Sequence, residues 1–261
     1  MSDAATRWSE QLAAWAVPQE ILDAAPRRPY VFSPEMFAAP PSGAHPPSRS
    51  TQLAAQALIG GGSVRDVGCG GGAAAFALVP PARAVIGTDR QQDMLGLFAA
   101  TAEERGVPWQ TFPGTWPDIA DGVPGADVVV CHNVLYNVSD LAGFATALQA
   151  HARRRVVLEV TELHPQVYRA PLWRHFWDLD RPSGPDAALA VQVLRGAEFP
   201  VQRENFEPTA RDASRAAPVE AAFWCRQLCL PPEREPEVAP LLAELPFPAQ
   251  RVTLWWDTPQ A

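Results

Sequence analysis

The sequence predicts an α/β protein with a doubly wound, mostly parallel sheet of seven strands, flanked by helices and preceded by an N-terminal helical cap or lid. Two observations predict this fold. Apolar segments of strand length alternate with amphipathic helical segments along most of the chain, and this order places parallel strands between covering helices. Residues 126–131, ADVVVC, form a nearly continuous apolar run, as in strands that are buried on both faces.

The first 47 residues are predicted to form the cap. Trp8, Leu12 and Trp15 have the spacing of one face of a short helix. A serine followed by a proline begins a second short helix at residues 33–37. This aromatic-rich region is either a lid over a substrate or a cap that packs on the core. The residues that a lid would bring to the substrate are Trp15, Tyr30 and Phe32.

The strands and helices of the main domain, residues 48–261, follow in order. The predicted strands are 64–67, 84–88, 109–112, 126–131, 155–160, 199–206 and 251–256. Apolar residues at three- and four-residue spacing predict the helices, which are 48–59, 91–105, 141–150, 185–196, 218–230 and 235–245. Ser139 is the predicted N-cap of helix 141–150. An aromatic-rich insertion over residues 164–185 either lines a substrate site or packs on the cap.

The rest of the chain is organised around residues 64–78, VRDVGCGGGAAAFAL. A buried strand runs into a glycine-rich turn and then into an alanine-rich helix start. Glycines let the backbone approach a ligand closely, and free N–H groups supply hydrogen-bond donors. The next strand ends at Asp89, twenty-three residues after Asp66, where a carboxylate can accept both hydroxyls of a ribose. The stretch therefore predicts a site for a nucleotide-like ligand.

Two cofactor classes compete for this motif. The nicotinamide-type fingerprint G-x-G-x-x-G/A is loosely satisfied by Gly68, Gly70 and Ala73. Asp66 argues against that fingerprint, because the position two residues before the first glycine is normally apolar in a dinucleotide-binding strand. A carboxylate there suits a ligand with a cationic amino group. The chain also contains no lysine, so it lacks the Tyr-x-x-x-Lys pair of many nicotinamide-dependent oxidoreductases.

The order D-x-G-x-G-x-G over residues 66–72, followed by Asp89, resembles motif I and its successor in class I S-adenosylmethionine-dependent methyltransferases. Residues 126–140 combine an apolar strand, a His-Asn dipeptide, a Leu-aromatic pair and an aspartate. That combination resembles the motif after the fourth strand in members that act on small molecules. The last strand, 251–256, matches the antiparallel strand that this fold inserts beside the fifth. The resemblance covers residues 64–165 by motif and 185–261 by topology, and it implies S-adenosyl-L-methionine as cofactor.

The resemblance implies a set of cofactor contacts. Asp66 and the glycine turn would hold the methionine part, and Asp89 would hold the ribose. The loop after the third strand would contact adenine, but Thr115 replaces the acid often found there, so Asp118 or loop backbone groups would have to serve. Arg49 either pairs with the methionine carboxylate or lies on the surface. The predicted cofactor-binding residues are Arg49, Asp66, Gly68, Cys69, Gly70, Asp89, Arg90, Met94, Thr115, Trp116 and His132.

His132 and Tyr136 are the predicted catalytic residues, because ligands gather at the carboxyl edge of an open parallel sheet. A hydroxyl acceptor needs a base, for which His132 is the first candidate and His164 and His175 are alternates. An amine or thiol acceptor that is already suitably ionised needs only positioning. The predicted substrate-binding residues are Phe32, Asn133, Tyr136, Trp173, His175 and Trp177.

Composition argues against several other functions. The net charge is -8 without a basic stripe, which disfavours a nucleic acid partner. The sequence shows no apolar run of membrane-spanning length and no signal-peptide pattern, so no membrane partner and a cytoplasmic location are expected. The four cysteines lack zinc-site spacing and are expected to be buried thiols, so no metal is predicted.

These observations predict a methyltransferase that moves a methyl group from S-adenosyl-L-methionine to a hydroxyl, amine or thiol of a small-molecule acceptor, with a homodimer as an allowed assembly. Two alternatives stay open. One is a non-catalytic module that binds the cofactor and regulates a partner, since glycine and acid motifs report only binding. The other, with less support, is an NAD-dependent oxidoreductase.

Overall fold

The computed structural model describes residues 2–29, 37–44, 46–207, 217–246 and 250–259. The strands are β1 (Gly62–Val67), β2 (Ala82–Asp89), β3 (Trp109–Pro113), β4 (Ala126–His132), β5 (Ala152–Thr161), β6 (Gln202–Phe206) and β7 (Arg251–Asp257). The helices are α1 (Asp3–Ala13), α2 (Gln19–Ala24), α3 (Arg49–Gln56), α4 (Ala73–Phe76), α5 (Gln92–Glu104), α6 (Leu141–Ala150), α7 (Ala170–Trp177), α8 (Ala187–Gly196), α9 (Ala217–Gln227) and α10 (Glu235–Glu244).

The strands form one sheet in the order β3-β2-β1-β4-β5-β7-β6. The first five strands are parallel to one another. The last strand, β7, lies antiparallel between β5 and β6. Each predicted strand is present, and the predicted doubly wound, mostly parallel sheet of seven strands is confirmed.

Helices cover both faces of the sheet. On one face, alternate side chains such as Val129, Val156 and Leu254 pack against α6, α8 and the buried indole of Trp8. On the other face, α3, α4 and α5 cover side chains that include Val128 and Val157. Because successive side chains of a strand point to opposite faces, the near-continuous valine runs fill both cores at once.

A third core joins the cap to the later helices. Val17 and Ile21, from α2 and the turn before it, pack with Leu172 and Trp173 of α7 and with the region of α9 and α10. The insertion at residues 164–185 therefore packs on the cap, which was one of its two predicted interpretations. Helix α2 was not predicted, since six residues are too few to show a clear helical period, whereas α7 corresponds to the helix that this second interpretation placed on the cap.

Two tryptophans, Trp8 in α1 and Trp15 just after it, connect the N-terminal segment to loops of the rest of the chain. The Trp8 indole N–H donates to the Val138 carbonyl at 2.7 Å, and the Trp15 indole N–H donates to the Gly184 carbonyl at 2.6 Å. Both rings are buried, so this part of the chain packs as a cap. Tyr30, Phe32 and most of the helix predicted at residues 33–37 lie outside the described residues.

The N-cap of α6 differs from the prediction. Asp140, and not Ser139, accepts a hydrogen bond from the Gly143 backbone N–H at 3.0 Å. A carboxylate at that position also interacts favourably with the positive end of the helix dipole. In the part of the chain that the structure describes, no helix combines the length and apolarity needed to cross a bilayer.

Candidate active site

The glycine turn after β1 is held against the end of β2. The backbone N–H groups of Gly68 and Cys69 donate to the Thr88 carbonyl at 2.8 and 3.0 Å. Gly68 has a φ of 69°, and a Cβ atom there would lie 2.4 Å from the Val134 side chain. Only glycine meets both conditions, so the turn is fixed at the point where β1 and β4 end.

Asp89 organises the same edge of the sheet. Its carboxylate accepts hydrogen bonds from the backbone N–H groups of Gly70 at 3.0 Å and Gln91 at 2.9 Å, one on each oxygen. Its carbonyl accepts from the Gly114 N–H at 3.0 Å, which brings the loop after β3 to this point. Each carboxylate oxygen retains a second acceptor site, so Asp89 can bind two further hydroxyl groups.

Asp66 is a buried acid next to the turn. One of its oxygens accepts a hydrogen bond from the Ala75 N–H at 3.1 Å. Burial, and to a smaller extent the charge of Asp89, raise the pKa of Asp66 to about 8. A carboxyl in this state is neutral at pH 7 unless a cation comes to it. Asp66 is therefore suited to a ligand with a cationic amino group.

His132 ends β4 directly beside Glu159 of β5. The two side chains keep 16% and 12% of their exposure, and His132 Nδ1 lies 3.9 Å from a Glu159 carboxylate oxygen. His132 Nε2 is buried and has no hydrogen-bond partner among the described residues. Burial lowers the pKa of His132, with Glu159 raising it and Arg251 lowering it. The imidazole is therefore neutral at pH 7, with a free ring nitrogen.

Tyr136 is engaged elsewhere. Its hydroxyl donates to the Thr161 carbonyl at 2.8 Å, and its ring stacks on Trp8 with centroids 5.7 Å apart. Burial raises its pKa above the ordinary value of 10. These contacts give Tyr136 a packing role next to Trp8, and its catalytic role stays a prediction. Asn133, the residue after His132, is exposed. The side-chain oxygen of Asn133 accepts a hydrogen bond from the Arg251 guanidinium at 2.6 Å.

Arg49 is occupied by an acid of the chain itself. Its guanidinium donates to both carboxylate oxygens of Glu204 on β6, at 2.5 and 3.1 Å. The two side chains keep 34% and 37% of their exposure, which agrees with the predicted surface alternative, and the pairing with a methionine carboxylate stays a prediction. A bidentate arginine–carboxylate pair leaves little capacity for a second anion.

The loop after β3 places Thr115 in solvent and Trp116 in the core. The Trp116 ring packs edge-on against His151, with centroids 4.9 Å apart. The guanidinium of Arg65 lies 5.7 Å from the Trp116 ring centroid. Trp116 is thus a core residue in this structure, and the Gly114 backbone of the same loop binds the Asp89 carbonyl at the edge of the sheet.

Three further predicted cofactor contacts differ in exposure. Arg90 is exposed just after β2, whereas Met94 is buried within α5. Cys69 lies in the glycine turn with a buried thiol whose pKa burial raises above its ordinary value. A thiol in this state is a packing group and not a nucleophile.

The aromatic residues of α7 are not gathered at the edge of the sheet. Trp173 is buried in the core shared with the cap, and the Trp177 indole N–H donates to the Leu228 carbonyl at 2.7 Å. His175 is exposed and contacts Phe176. The alternate base His164 stacks on Trp15 with centroids 4.2 Å apart, and burial lowers its pKa to about 4. Phe32 lies outside the described residues.

Two charged residues of the central strands, the buried Arg65 and the partly buried Glu159, were not among the predicted site residues. Arg65 of β1 donates to the Thr88 hydroxyl at 2.9 Å and to the Pro124 carbonyl, and it braces the strands behind the glycine turn. Glu159 is the acid next to His132. Arg65 lies between Val64 and Asp66 in β1, and Glu159 lies between Leu158 and Val160 in β5. A charged residue in the interior of a strand was the available signal, since a buried charge requires partners.

Residues 65–158 match the family model of a methyltransferase domain. The ubiquinone biosynthesis O-methyltransferase from Methylococcus capsulatus is 32% identical over 102 residues, which cover 39% of this chain and 43% of that protein. The chain spans less than half the length of the curated relatives it matches.

Two solved structures show the same fold. The YcgJ protein from Bacillus subtilis has a TM-score of 0.52 at 16% identity, covering 81% of this chain and 99% of that one. Magnesium protoporphyrin IX methyltransferase from Synechocystis, determined with bound SAH, has a TM-score of 0.50 at 17% identity, covering 81% of this chain and 82% of that one.

Proposed function

We propose, on the premise that residues 65–158 are a methyltransferase domain on the class I fold, that the chain is an S-adenosyl-L-methionine-dependent methyltransferase. The observation that carries the proposal is the arrangement at the end of β1 and β2. There the glycine turn, the buried Asp66 and the doubly anchored Asp89 meet. These groups match, in order, the backbone approach, the cationic amine and the ribose hydroxyls of this cofactor.

The residues present fit the cofactor. Asp66 is neutral when no cation is near it, and an ammonium group would return it to the charged form. The free acceptor sites of Asp89 would take the ribose hydroxyls, while its anchored geometry reduces the entropy lost on binding. The loop at Gly114 and Thr115 would face the adenine through its backbone.

The bound cofactor supplies a methyl group on a positively charged sulfur, which is already activated for displacement. The chain's own residues therefore have three tasks, which are to bind, to orient and to remove a proton. Holding two reactants in line is worth up to about 7–11 kcal/mol of the barrier. His132, with its free buried Nε2 at the end of β4, is the group that would take a proton from an acceptor.

The proposed acceptor is a hydroxyl, amine or thiol of a small molecule. The relative from Methylococcus is called an O-methyltransferase, and this supports a hydroxyl among the three. The net charge of -8 disfavours a nucleic acid acceptor.

The location and the assembly are part of the proposal. Cytoplasmic placement is supported by four cysteines that are buried thiols, the form kept by a reducing compartment. A homodimer is tested directly by sedimentation of the purified chain.

Calorimetric titration tests the cofactor. The wild-type protein is titrated in parallel with S-adenosyl-L-methionine, S-adenosylhomocysteine and NAD. We expect the first two to bind and NAD to give no heat. Binding of NAD alone would overturn the proposal in favour of an oxidoreductase. Binding of the first two without methyl transfer to any member of a panel of hydroxylated, amino and thiol compounds would favour a regulatory module.

The Asp89→Asn variant tests the placement of the ribose. Its loss of charge-assisted hydrogen bonds is expected to weaken S-adenosyl-L-methionine binding by about 1–3 kcal/mol. The control is Asp93→Asn, which removes the same charge from an exposed position in the first turn of α5. Equal affinities of the two variants would show that the ribose lies elsewhere.

A further inference from the structure

A row of polar side chains crosses four strands of the sheet beneath the start of α3. His132 of β4 lies opposite Glu159 of β5, Glu159 lies opposite Thr253 of β7, and Thr253 lies opposite Glu204 of β6. Side chains that face each other across neighbouring strands share one face of the sheet. The four residues therefore form a continuous line across the sheet, with His132 at one end.

Three consecutive residues at the start of α3 bind this row from above. The Ser48 hydroxyl donates to Glu159 at 3.4 Å, the Ser50 and Thr253 hydroxyls lie 2.7 Å apart, and Arg49 pairs with Glu204. Glu159 is thus held between Ser48 and the His132 ring. The same Glu159 carboxylate oxygen lies 3.4 Å from the Ser48 hydroxyl and 3.9 Å from His132 Nδ1.

We propose that Glu159 is a positioning residue, which holds His132 with its proton on Nδ1 and its lone pair on Nε2 ready to accept the proton of a hydroxyl acceptor. This inference rests on the proposed function and deepens it. The evidence is the 3.9 Å approach of Nδ1 to the carboxylate. The second observation is the buried Nε2, which has no partner within the described residues.

The proton and electron balance follows from this arrangement. The acceptor oxygen gives its proton to His132 Nε2, and its electron pair forms the new bond to the methyl carbon. The bond from that carbon to sulfur breaks, its electron pair stays on sulfur, and the sulfonium becomes a neutral thioether. His132 then carries a positive charge, which the Glu159 carboxylate stabilises until the proton leaves to solvent. An acceptor that is already deprotonated would need neither residue.

The charged groups that act on His132 are Glu159 on β5 and Arg251 on β7, with opposite effects. Removing the charge of Glu159 should therefore lower the pKa of His132 and allow the ring proton to occupy either Nδ1 or Nε2. Glu204 provides the matched control, because it is a glutamate of the same row but lies two strands beyond Glu159 and is paired with Arg49.

The test is an NMR titration of the imidazole nitrogens in the full chain without cofactor. His132 is one of five histidines, and its signals are assigned by their loss in His132→Asn. We expect Glu159→Gln to lower the His132 pKa by about one unit and to reduce the Nδ1–H form, while Glu204→Gln leaves both unchanged. An unchanged pKa and tautomer in Glu159→Gln would overturn the proposal.

A second variant keeps the test decisive if Glu159→Gln does not fold. Glu159→Asp keeps the charge but withdraws it by one methylene, so we expect a smaller pKa shift in the same direction. If Glu159→Gln does not fold, wild-type titration of His132 in Glu159→Asp would overturn the proposal. Failure of the proposed function has a different signature, which is the absence of S-adenosyl-L-methionine binding to wild type.

Measurement of kcat tests the proposal in the reaction itself once a hydroxyl acceptor has been identified. Glu159→Gln is expected to lower kcat about tenfold to a hundredfold, with unchanged cofactor affinity and with the acidic limb of the pH profile moved to lower pH. A purely structural residue would change stability without moving that limb. Wild-type kcat and pH profile in the variant would contradict the assignment.

Discussion

Replacing the buried acid Asp66 with asparagine is expected to stabilise the protein while weakening cofactor binding. Burial raises the folded-state pKa of Asp66 from 3.8 to about 8, and the unfolded chain keeps the ordinary value. Between these two pH values the folded protein holds a proton that the unfolded chain has released. The contribution of Asp66 to stability is therefore fully present below pH 3.8 and is lost as the pH rises to about 8.

The size of the effect follows from the two pKa values. Each pH unit above 3.8 adds about 1.4 kcal/mol to the cost of keeping the proton, so the cost at pH 7 is about 4 kcal/mol. Asparagine is neutral, and its side-chain oxygen can still accept from the Ala75 N–H. Its amide donors lack partners, which costs about 1–3 kcal/mol. The net gain at pH 7 is then about 1–3 kcal/mol.

Urea unfolding of the cofactor-free wild type and Asp66→Asn measures this gain. The difference in unfolding free energy is expected to grow by about 1.4 kcal/mol per unit between about pH 5 and pH 8. Calorimetry at neutral pH should show S-adenosyl-L-methionine binding weakened at least about tenfold, because a charge-assisted contact is lost. A difference independent of pH would refute the reasoning about burial. Unchanged affinity would refute the placement of the amino group.

Two further substitutions test the site and its surroundings. Gly68→Ala is expected to cost at least about 1–3 kcal/mol of unfolding free energy, through its positive φ and the contact with Val134. Gly96→Ala, in α5 with open space around it, should gain about 0.5–1 kcal/mol, and equal effects would contradict this account of the turn. Tyr136→Phe is expected to cost about 1 kcal/mol for its hydrogen bond and to leave kcat unchanged, whereas a hundredfold loss of kcat would make the hydroxyl catalytic.

The parts of the fold that were predictable are those in which a local signal is strong. Strand β4 is buried on both faces, and its run of valines identifies it without any knowledge of its neighbours. The turn at Gly68 is equally local, because its φ and its close approach to another loop admit only glycine. By contrast, α2 and α7 form because their apolar residues meet each other in a shared core.

In the candidate site, too, the predictable residues are those with local contacts. Asp66 and Asp89 were predicted because each lies at or next to the end of a strand. Asp89 accepts a hydrogen bond from Gly70 of the adjacent turn, and Asp66 accepts one from Ala75 of the helix that follows this turn. Arg49 was predicted from its position before β1, but its real partner, Glu204, is 155 residues away. Trp116 likewise contacts Arg65, which belongs to a different strand. Contacts that form only when distant segments pack together cannot be recognised in the sequence of either segment alone.

The pairing of His132 with Glu159 depends on a one-residue irregularity between β4 and β5. At the start of the β4–β5 ladder Ala126 lies opposite Ala152, and an irregularity of one residue before Val128 then shifts the register. The shift places His132 opposite Glu159, whereas continuation of the initial register would have placed it opposite Leu158. A one-residue bulge at the far end of the strands thus decides whether His132 meets an acid or an apolar side chain. The sequence identifies both strands and the histidine, but the partner of the histidine depends on packing that forms only when the sheet does.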